Sequence, residues 1–303
     1  MGIFSKYIKL SMKNIIIVTG GAGFIGSNLI KYLIKKIKYK IISIDNYSTG
    51  SKKNHIKHKN VKYIKGENID ISKILKSQKK KIKVIFHFGE FSRIYQSFVR
   101  PKEWLNSNIN NSFEVINFAN DNKIKIIYSA TSSSLGNNGK DQNQSPYSWA
   151  KTKNIELIKN YSKWFGLKYE LVFFYNVYGP NQIKNSSMSA LIGIFESQYK
   201  KKIPLTIVKP GSQSRDFTHV DDIVHGCYLA WTKGKQKEYM LCTNKSYSIL
   251  KIAKMFGSKF KFLKSRPGDR LGSIILNNNA KKILGFVAKD DIKNYINDFV
   301  SSN

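Results

Sequence analysis

Three glycines at positions 20, 23 and 26 constrain this chain more than any other feature. They lie in Val18-Thr19-Gly20-Gly21-Ala22-Gly23-Phe24-Ile25-Gly26. The segment follows a β-branched apolar run, Ile15–Thr19, and opens a stretch of helical spacing, Phe24–Lys36. A strand that turns at once into a helix aims free backbone N–H groups and the positive end of a helix dipole at an anion. Gly20 permits the tight turn, Gly23 admits a pyrophosphate close to the backbone, and Gly26 lets helix and strand pack. Phe24 and Ile25, between the last two glycines, complete the predicted cradle.

An acid in the right place strengthens this reading. Asp45 stands 19 positions past Gly26, at the end of a second apolar run, Lys40–Ile44. A carboxylate there accepts ribose hydroxyls and repels a 2′-phosphate, which favours NAD over NADP. The competing explanation is an ordinary turn carboxylate. The nearby Lys52-Lys53 pair works slightly against the exclusion of NADP.

Further strands are predicted at Val61–Ile64, Val84–Phe88, Ile124–Ser129 and Tyr169–Tyr175. Long helices are predicted at Pro101–Asn120 and Pro146–Phe165, with a last one near Asp291–Val300. Strands alternating with helices imply a parallel sheet covered on both faces. The predicted fold is therefore α/β, a Rossmann-type doubly wound parallel sheet with a smaller, partly interleaved C-terminal substrate lobe. The expected division is an N-terminal extension over 1–13, a dinucleotide-binding domain over 14–175 and a substrate lobe over 176–303.

Composition narrows the function classes. With 303 residues, 41% of them hydrophobic, the chain has enough apolar side chain for a proper core. No apolar run approaches the roughly 18–20 residues of a membrane helix. Met1-Gly2 begins like a myristoylation signal, but Lys6 stands where Ser or Thr is required. Two cysteines, Cys227 and Cys242, exclude a disulfide framework and fit a reducing cytoplasm. The net charge of +33 raises nucleic-acid or membrane binding. The lysines are scattered, however, and neither an RNA-binding signature nor a Cys/His finger accompanies them. A nucleic-acid partner is not expected. The positive field would gather an anionic substrate.

Tyr147 and Lys151 are four apart in a helical stretch and share a face. Ser145 and Pro146 make a good helix start. A free tyrosine titrates near pH ~10, and a neighbouring ammonium and a cationic nicotinamide favour its phenolate. Tyr32/Lys36 and Tyr247/Lys251 have the same spacing. Only Tyr147 follows the fifth strand, where Thr131-Ser132-Ser133-Ser134 supplies hydroxyls at the carboxyl end. Ligands of such sheets bind at those ends.

Taken in order, these segments resemble the NAD-dependent epimerase/dehydratase branch of the extended short-chain dehydrogenases. The resemblance also rests on Ile44–Gly50 (IDNYSTG), Val84–Gly89 (VIFHFG), Tyr128–Gly136 (YSATSSSLG), Ser145–Lys151 (SPYSWAK), Phe173–Pro180 (FFYNVYGP), Arg215–Asp222 (RDFTHVDD) and Arg266–Asp269 (RPGD). It covers nearly the whole chain after Lys13, and is nearest in kind to the UDP-glucose and UDP-N-acetylglucosamine 4-epimerases. The resemblance implies Thr131, Tyr147 and Lys151 as the catalytic set. It implies cofactor contacts from Asn46, Asn68, Ile69, Phe88, Gly89, Ser92, Asn108 and Tyr175. It implies substrate contacts from Asn176, Thr206, Val208, Arg215, Arg266 and Asp269. Arginine suits a diphosphate, because a guanidinium grips phosphate oxygens in fork geometry. A homodimer through the two long helices is implied as well.

The chain departs from the family pattern at four places. The span from Thr131 to Tyr147 is short. Gly66-Glu67-Asn68-Ile69 replaces the usual Gly-Asp-Ile, and Lys209-Pro210-Gly211 the usual Gly-Asp-Gly. Glu90 stands where a small or neutral residue is usual. The reaction expected is 4-epimerisation of a nucleotide-sugar through a 4-keto intermediate. Dehydratases and decarboxylases of the family typically carry Asp or Glu directly after the catalytic Thr or Ser. Here that residue is Ser132, which is no general acid near neutral pH. In the epimerases that this chain resembles, a residue soon after RPGD gates the sugar 2-substituent; the resemblance implies that Ser273 takes this place, and its small side chain would leave room for an N-acetyl group. The alternatives are a reductase or dehydratase of the same fold and a non-catalytic NAD-binding protein.

Overall fold

The computed structural model describes residues 14–136, 142–272 and 275–303. The extension 1–13 and Ser273 therefore lie outside the described residues. Seven parallel strands form the central sheet: β1 (Ile15–Thr19), β2 (Lys40–Asp45), β3 (Val61–Lys65), β4 (Ile82–His87), β5 (Lys125–Thr131), β6 (Tyr169–Phe174) and β11 (Glu238–Leu241). Their order is β11-β6-β5-β4-β1-β2-β3. The chain reverses direction across the sheet between β1 and β4, so a crevice opens at their carboxyl ends. There Thr19 stands opposite His87, and His87 opposite Tyr128 of β5. The expected doubly wound sheet is present.

The core follows from strand alternation. In β1, Ile16 and Val18 join a cluster with Leu29, Ile30 and Leu33 of α1 (Phe24–Lys36). Ile15 and Ile17 face the other way and join Val115, Ile116 and Ala119. Helices α2 (Ile71–Ile74), α3 (Ile94–Val99), α4 (Pro101–Leu105), α5 (Asn111–Asp121) and α6 (Pro146–Phe165) complete the first half. The long helix expected over Pro101–Asn120 forms with a π-turn at its middle, Asn106–Asn110, which joins α4 to α5. Ser145 caps α6 by accepting from the Ser148 N–H, with Pro146 in the first turn.

Beyond β6 the chain builds three two-stranded sheets. They pair β10 (Thr218–His219) with β7 (Val177–Tyr178), β12 (Ser246–Ser248) with β9 (Ser214–Asp216), and β13 (Phe260–Leu263) with β8 (Leu205–Val208). Around them lie α7 (Leu191–Lys200), α8 (Val220–Lys233), α9 (Ile249–Met255) and α10 (Ile292–Ser301). Phe195, Ile207, Phe217, Ile252, Phe256 and Ile296 make a separate small core here. Helix α8 instead packs on the central sheet through Ile223, Val224 and Cys227. Both cysteines are buried and unpaired. Among the described residues, no helix is long and apolar enough to cross a membrane.

Candidate active site

A cleft enclosing about 490 Å³ runs along the carboxyl ends of the strands and under the smaller lobe. That is the size of a ligand site. The glycine loop forms its floor. Gly20 has φ of +70°, and a Cβ on Gly26 would lie 2.2 Å from the Gly20 carbonyl oxygen, so neither tolerates a side chain. No side chain caps α1, and its first turn carries no acid. Its N-terminal N–H groups are left for a ligand, as a pyrophosphate requires. Asp45, 7% exposed, accepts from the Ala22 N–H at 2.9 Å and the Tyr47 N–H at 2.8 Å. Burial raises its carboxyl above the usual range, and these two bonds oppose the rise. A carboxylate offers about four acceptor sites, so capacity for ribose hydroxyls remains. Glycine loop, uncapped helix and acid together fit NAD.

The predicted residues divide. Gly20, Gly23, Phe24, Ile25, Gly26, Asp45, Asn46, Asn68, Phe88, Gly89, Ser92, Thr131, Tyr147, Lys151, Asn176, Thr206, Val208, Arg215, Arg266 and Asp269 all line the one cleft. Three others do not. Tyr175 is fully buried and donates its hydroxyl to Met240 Sδ at 3.3 Å. Its neighbour Phe174 lines the cleft instead, edge-on to Phe88, because adjacent strand residues face opposite sides. Asn108 is fully buried and clamps the Phe91 backbone, accepting at 2.7 Å and donating at 2.9 Å. Ile69 is 49% exposed and turns outward toward Phe113 and Trp149.

Tyr147 lines the cleft and is 8% exposed, and its hydroxyl makes no hydrogen bond among the described residues. Thr131 Oγ1 accepts from the Ser133 N–H at 3.2 Å, which starts the turn Ser132–Leu135. Lys151 is buried. Its ammonium bonds the Glu90 carboxylate and the Ser129 carbonyl and lies 4.7 Å from the centre of the Tyr128 ring. The Glu90 side chain is only 2% exposed. Its Oε1 accepts from Ser112 Oγ at 2.6 Å, Tyr128 Oη at 3.0 Å and Asn154 Nδ2 at 3.1 Å. Although burial opposes it, the Lys151 ammonium and the hydrogen bonds from Lys151 and Ser112 hold the Glu90 carboxyl below its ordinary range. Tyr128 is pushed well up, chiefly by burial.

The hydrogens behind Glu90 can be placed by elimination. Thr19 Oγ1 accepts from the N–H groups of Phe88 and Gly89, both at 3.1 Å. Its own hydrogen is then free for His87 Nδ1, 2.7 Å away. His87 Nε2–H donates to Ser112 Oγ at 3.0 Å, and Ser112 donates onward to Glu90. His87 is thus neutral in this chain, in keeping with a pKa lowered by burial to about 4. A directed line of bonds runs from the glycine loop to the ion pair under Tyr147.

The cleft is also lined by cations. Of 52 Lys and Arg residues only five are arginine, and four of those, Arg93, Arg215, Arg266 and Arg270, line the cleft. Lysine serves nearly everywhere else, so the arginines mark where a planar fork is needed. This rarity is the signal that would have revealed Arg93 and Arg270. Arg93 Nε donates to the Met188 carbonyl at 2.6 Å. Arg266 lies 5.2 Å from the centre of the Tyr95 ring. Arg215 is 3.9 Å from Asp269. Arg270, 4% exposed, grips Ser132, and its pKa is pushed down to about 10 by burial and then by Arg215. No group of residues suited to a metal ion occurs among the described residues.

Comparison with known proteins agrees with this geometry. A model described as "NAD dependent epimerase/dehydratase family" matches residues 16–242. A dTDP-D-glucose 4,6-dehydratase of Dictyostelium discoideum is 30% identical over 79% of this chain, which spans 60% of that protein's length. A putative UDP-glucose 4-epimerase of Methanocaldococcus jannaschii is 27% identical over 94% of this chain and 97% of its own. The solved UDP-N-acetylglucosamine 4-epimerase of Methanobrevibacter ruminantium, in complex with UDP-N-acetylmuramic acid, superimposes with a TM-score of 0.85. It is 27% identical, and the match covers 96% of this chain and 98% of that one. The chain belongs to the NAD-dependent epimerase/dehydratase family.

Proposed function

We propose that this protein epimerises a nucleotide-linked sugar at C4, most simply a UDP-hexose or UDP-N-acetylhexosamine, through a 4-keto intermediate. Gly20, Gly23, Gly26 and Asp45 hold the cofactor. NAD, when bound, supplies the acceptor and donor of hydride at C4. Tyr147 takes the proton of the 4-hydroxyl, and Thr131 hydrogen-bonds the same oxygen. Lys151 has three N–H donors. With two committed to Glu90 and Ser129, one is left for the nicotinamide ribose. Arg215 and Arg266 take the diphosphate, where charge-assisted fork bonds are strongest. The keto sugar turns over in the cleft, and Tyr147 returns the proton as the other face is reduced.

One observation carries epimerisation over dehydration. Ser132 follows Thr131, and it is held by Arg270 rather than replaced by a carboxylate. The carboxylates near the sugar end are Glu90, bound to Lys151, and Asp269, among the arginines. Neither is placed as an acid for removing water from the sugar. Exposed apolar side chains on α5 and α6, Phe113 and Trp149 among them, support a homodimer through these helices.

The test is proton NMR of the purified enzyme with UDP-, dTDP-, GDP- and ADP-sugars and no added cofactor. The proposal expects a 4-epimer of at least one sugar without net redox. A 4-keto-6-deoxy product, or demand for added NAD(P)H, contradicts it.

A further inference from the structure

The site contains a buried acid with no part in the chemistry proposed so far. Glu90 occupies the centre of the polar cluster beneath Tyr147, and both its oxygens are used. Such a carboxylate is costly to bury unless it is paired and fully hydrogen-bonded. Here it has an ammonium on one oxygen and three donors on the other. Its bonds come from three elements: α5 through Ser112, β5 through Tyr128, and α6 through Lys151 and Asn154. The loop after β4 that carries Glu90 is itself tied to Asn108 and the glycine-loop strand.

The effect falls on Lys151. An ammonium that is free one helical turn from Tyr147 would act on the phenol as a full positive charge. An ammonium bound to a carboxylate acts as one end of a neutral pair, whose field falls off faster. Other charges face Tyr147 from separate elements. Arg93 comes from the loop before α3 and Arg270 from the loop after Arg266, and both line the same cleft as Tyr147; the nicotinamide of bound NAD would add a further positive charge. Tyr128 faces it from β5. His87 also faces Glu90 and is neutral.

We propose that Glu90 is a positioning residue: it seats the Lys151 ammonium against β5 and offsets its charge beneath Tyr147. The inference rests on Tyr147 as the base of the proposed reaction. Its test needs no substrate, so the two fail separately.

The experiment titrates the Tyr147 phenol in the NAD-bound enzyme by ultraviolet difference absorbance, with Tyr147→Phe as the blank for the other tyrosines. Three further variants are compared: Glu90→Gln, Lys151→Met and the double variant. In Glu90→Gln the ammonium is uncompensated, so the phenolate should appear about one pH unit lower, as an opposite charge nearby lowers an acid's pKa by about 1–3 units. In Lys151→Met the carboxylate is uncompensated, and the phenolate should appear higher by a similar amount. The double variant should return to within a few tenths of wild type, since each charge has lost its partner and is itself removed. A merely structural role predicts no such opposed displacements. Two single variants that leave the titration unmoved, or move it in the same direction, overturn the proposal. If Glu90→Gln does not fold, Lys151→Met decides alone: a rise supports the proposal, and no change or a fall overturns it. An enzyme that shows these shifts and turns over no nucleotide-sugar refutes the proposed function and leaves the role of Glu90 standing.

Discussion

Arg270 donates to Ser132 from both terminal nitrogens, to the carbonyl and, at 3.1 Å, to the hydroxyl. The two residues are 138 positions apart. The contact ties the C-terminal loop to the turn that begins at Thr131. It also fills the place next to the Thr131 hydroxyl, proposed to bond the sugar, with a guanidinium clamp. Arg270 Nε is buried with no hydrogen-bond partner among the described residues. Replacement by lysine keeps the charge and loses the fork. Arg270→Lys should lower kcat/KM at least about tenfold, since hydrogen bonds to charged groups contribute about 1.5–3 kcal/mol. Steady-state kinetics beside a melting curve checks this, and unchanged kcat/KM would remove Arg270 from the site.

Tyr147→Phe removes one oxygen that bonds no described residue. The variant should therefore fold and keep NAD. Its kcat should fall by about 10²–10⁴, the range for general acid–base catalysis. Cofactor content after gel filtration separates loss of chemistry from loss of the holoenzyme.

Arg215→Gln and Arg266→Gln should act on affinity. Each should raise KM for the nucleotide-sugar by about tenfold or more, on the same magnitude for a charged hydrogen bond. Melting temperature should barely move for Arg266→Gln, because Arg266 is exposed. A KM unchanged in both variants would place the diphosphate elsewhere.

His87 gives stability a pH dependence. Its pKa is depressed from 6.5 to about 4 in the folded chain. The unfolded chain then binds more protons between these values, so stability rises with pH across the window. The contribution is complete above about pH 6.5 and is lost as pH falls toward 4. The difference corresponds to about 3 kcal/mol at most, at 1.36 kcal/mol per unit. His87→Gln should be less stable at neutral pH and show a shallower fall between pH 6.5 and 4. Urea unfolding at a series of pH values measures the slope, and parallel slopes would refute the neutral His87.

Much of this site is legible in the amino-acid order because its signals are local. The glycine spacing, the strand before it and Asp45 describe one continuous strand–turn–helix–strand. Tyr147 and Lys151 are placed by helical spacing and by what precedes them. The direction of a side chain at the end of an element is not local. Tyr175 follows Phe174 by one residue and so takes the opposite face. Asn108 is carried inward at a π-turn that no spacing rule marks. Glu90 is conspicuous in sequence, but its partner lies 61 positions away, and only the fold brings Lys151 to it. Arg93 and Arg270 were detectable through the scarcity of arginine, which needs the whole composition rather than a motif.

The central claim is that hydride leaves C4 of the sugar and returns to the same carbon within one closed cleft. A nucleotide-sugar deuterated at C4 tests it directly when incubated with the enzyme and followed by NMR. The 4-epimer should form with its deuterium retained at C4. Loss of that deuterium to solvent, or its appearance at C6, would contradict it.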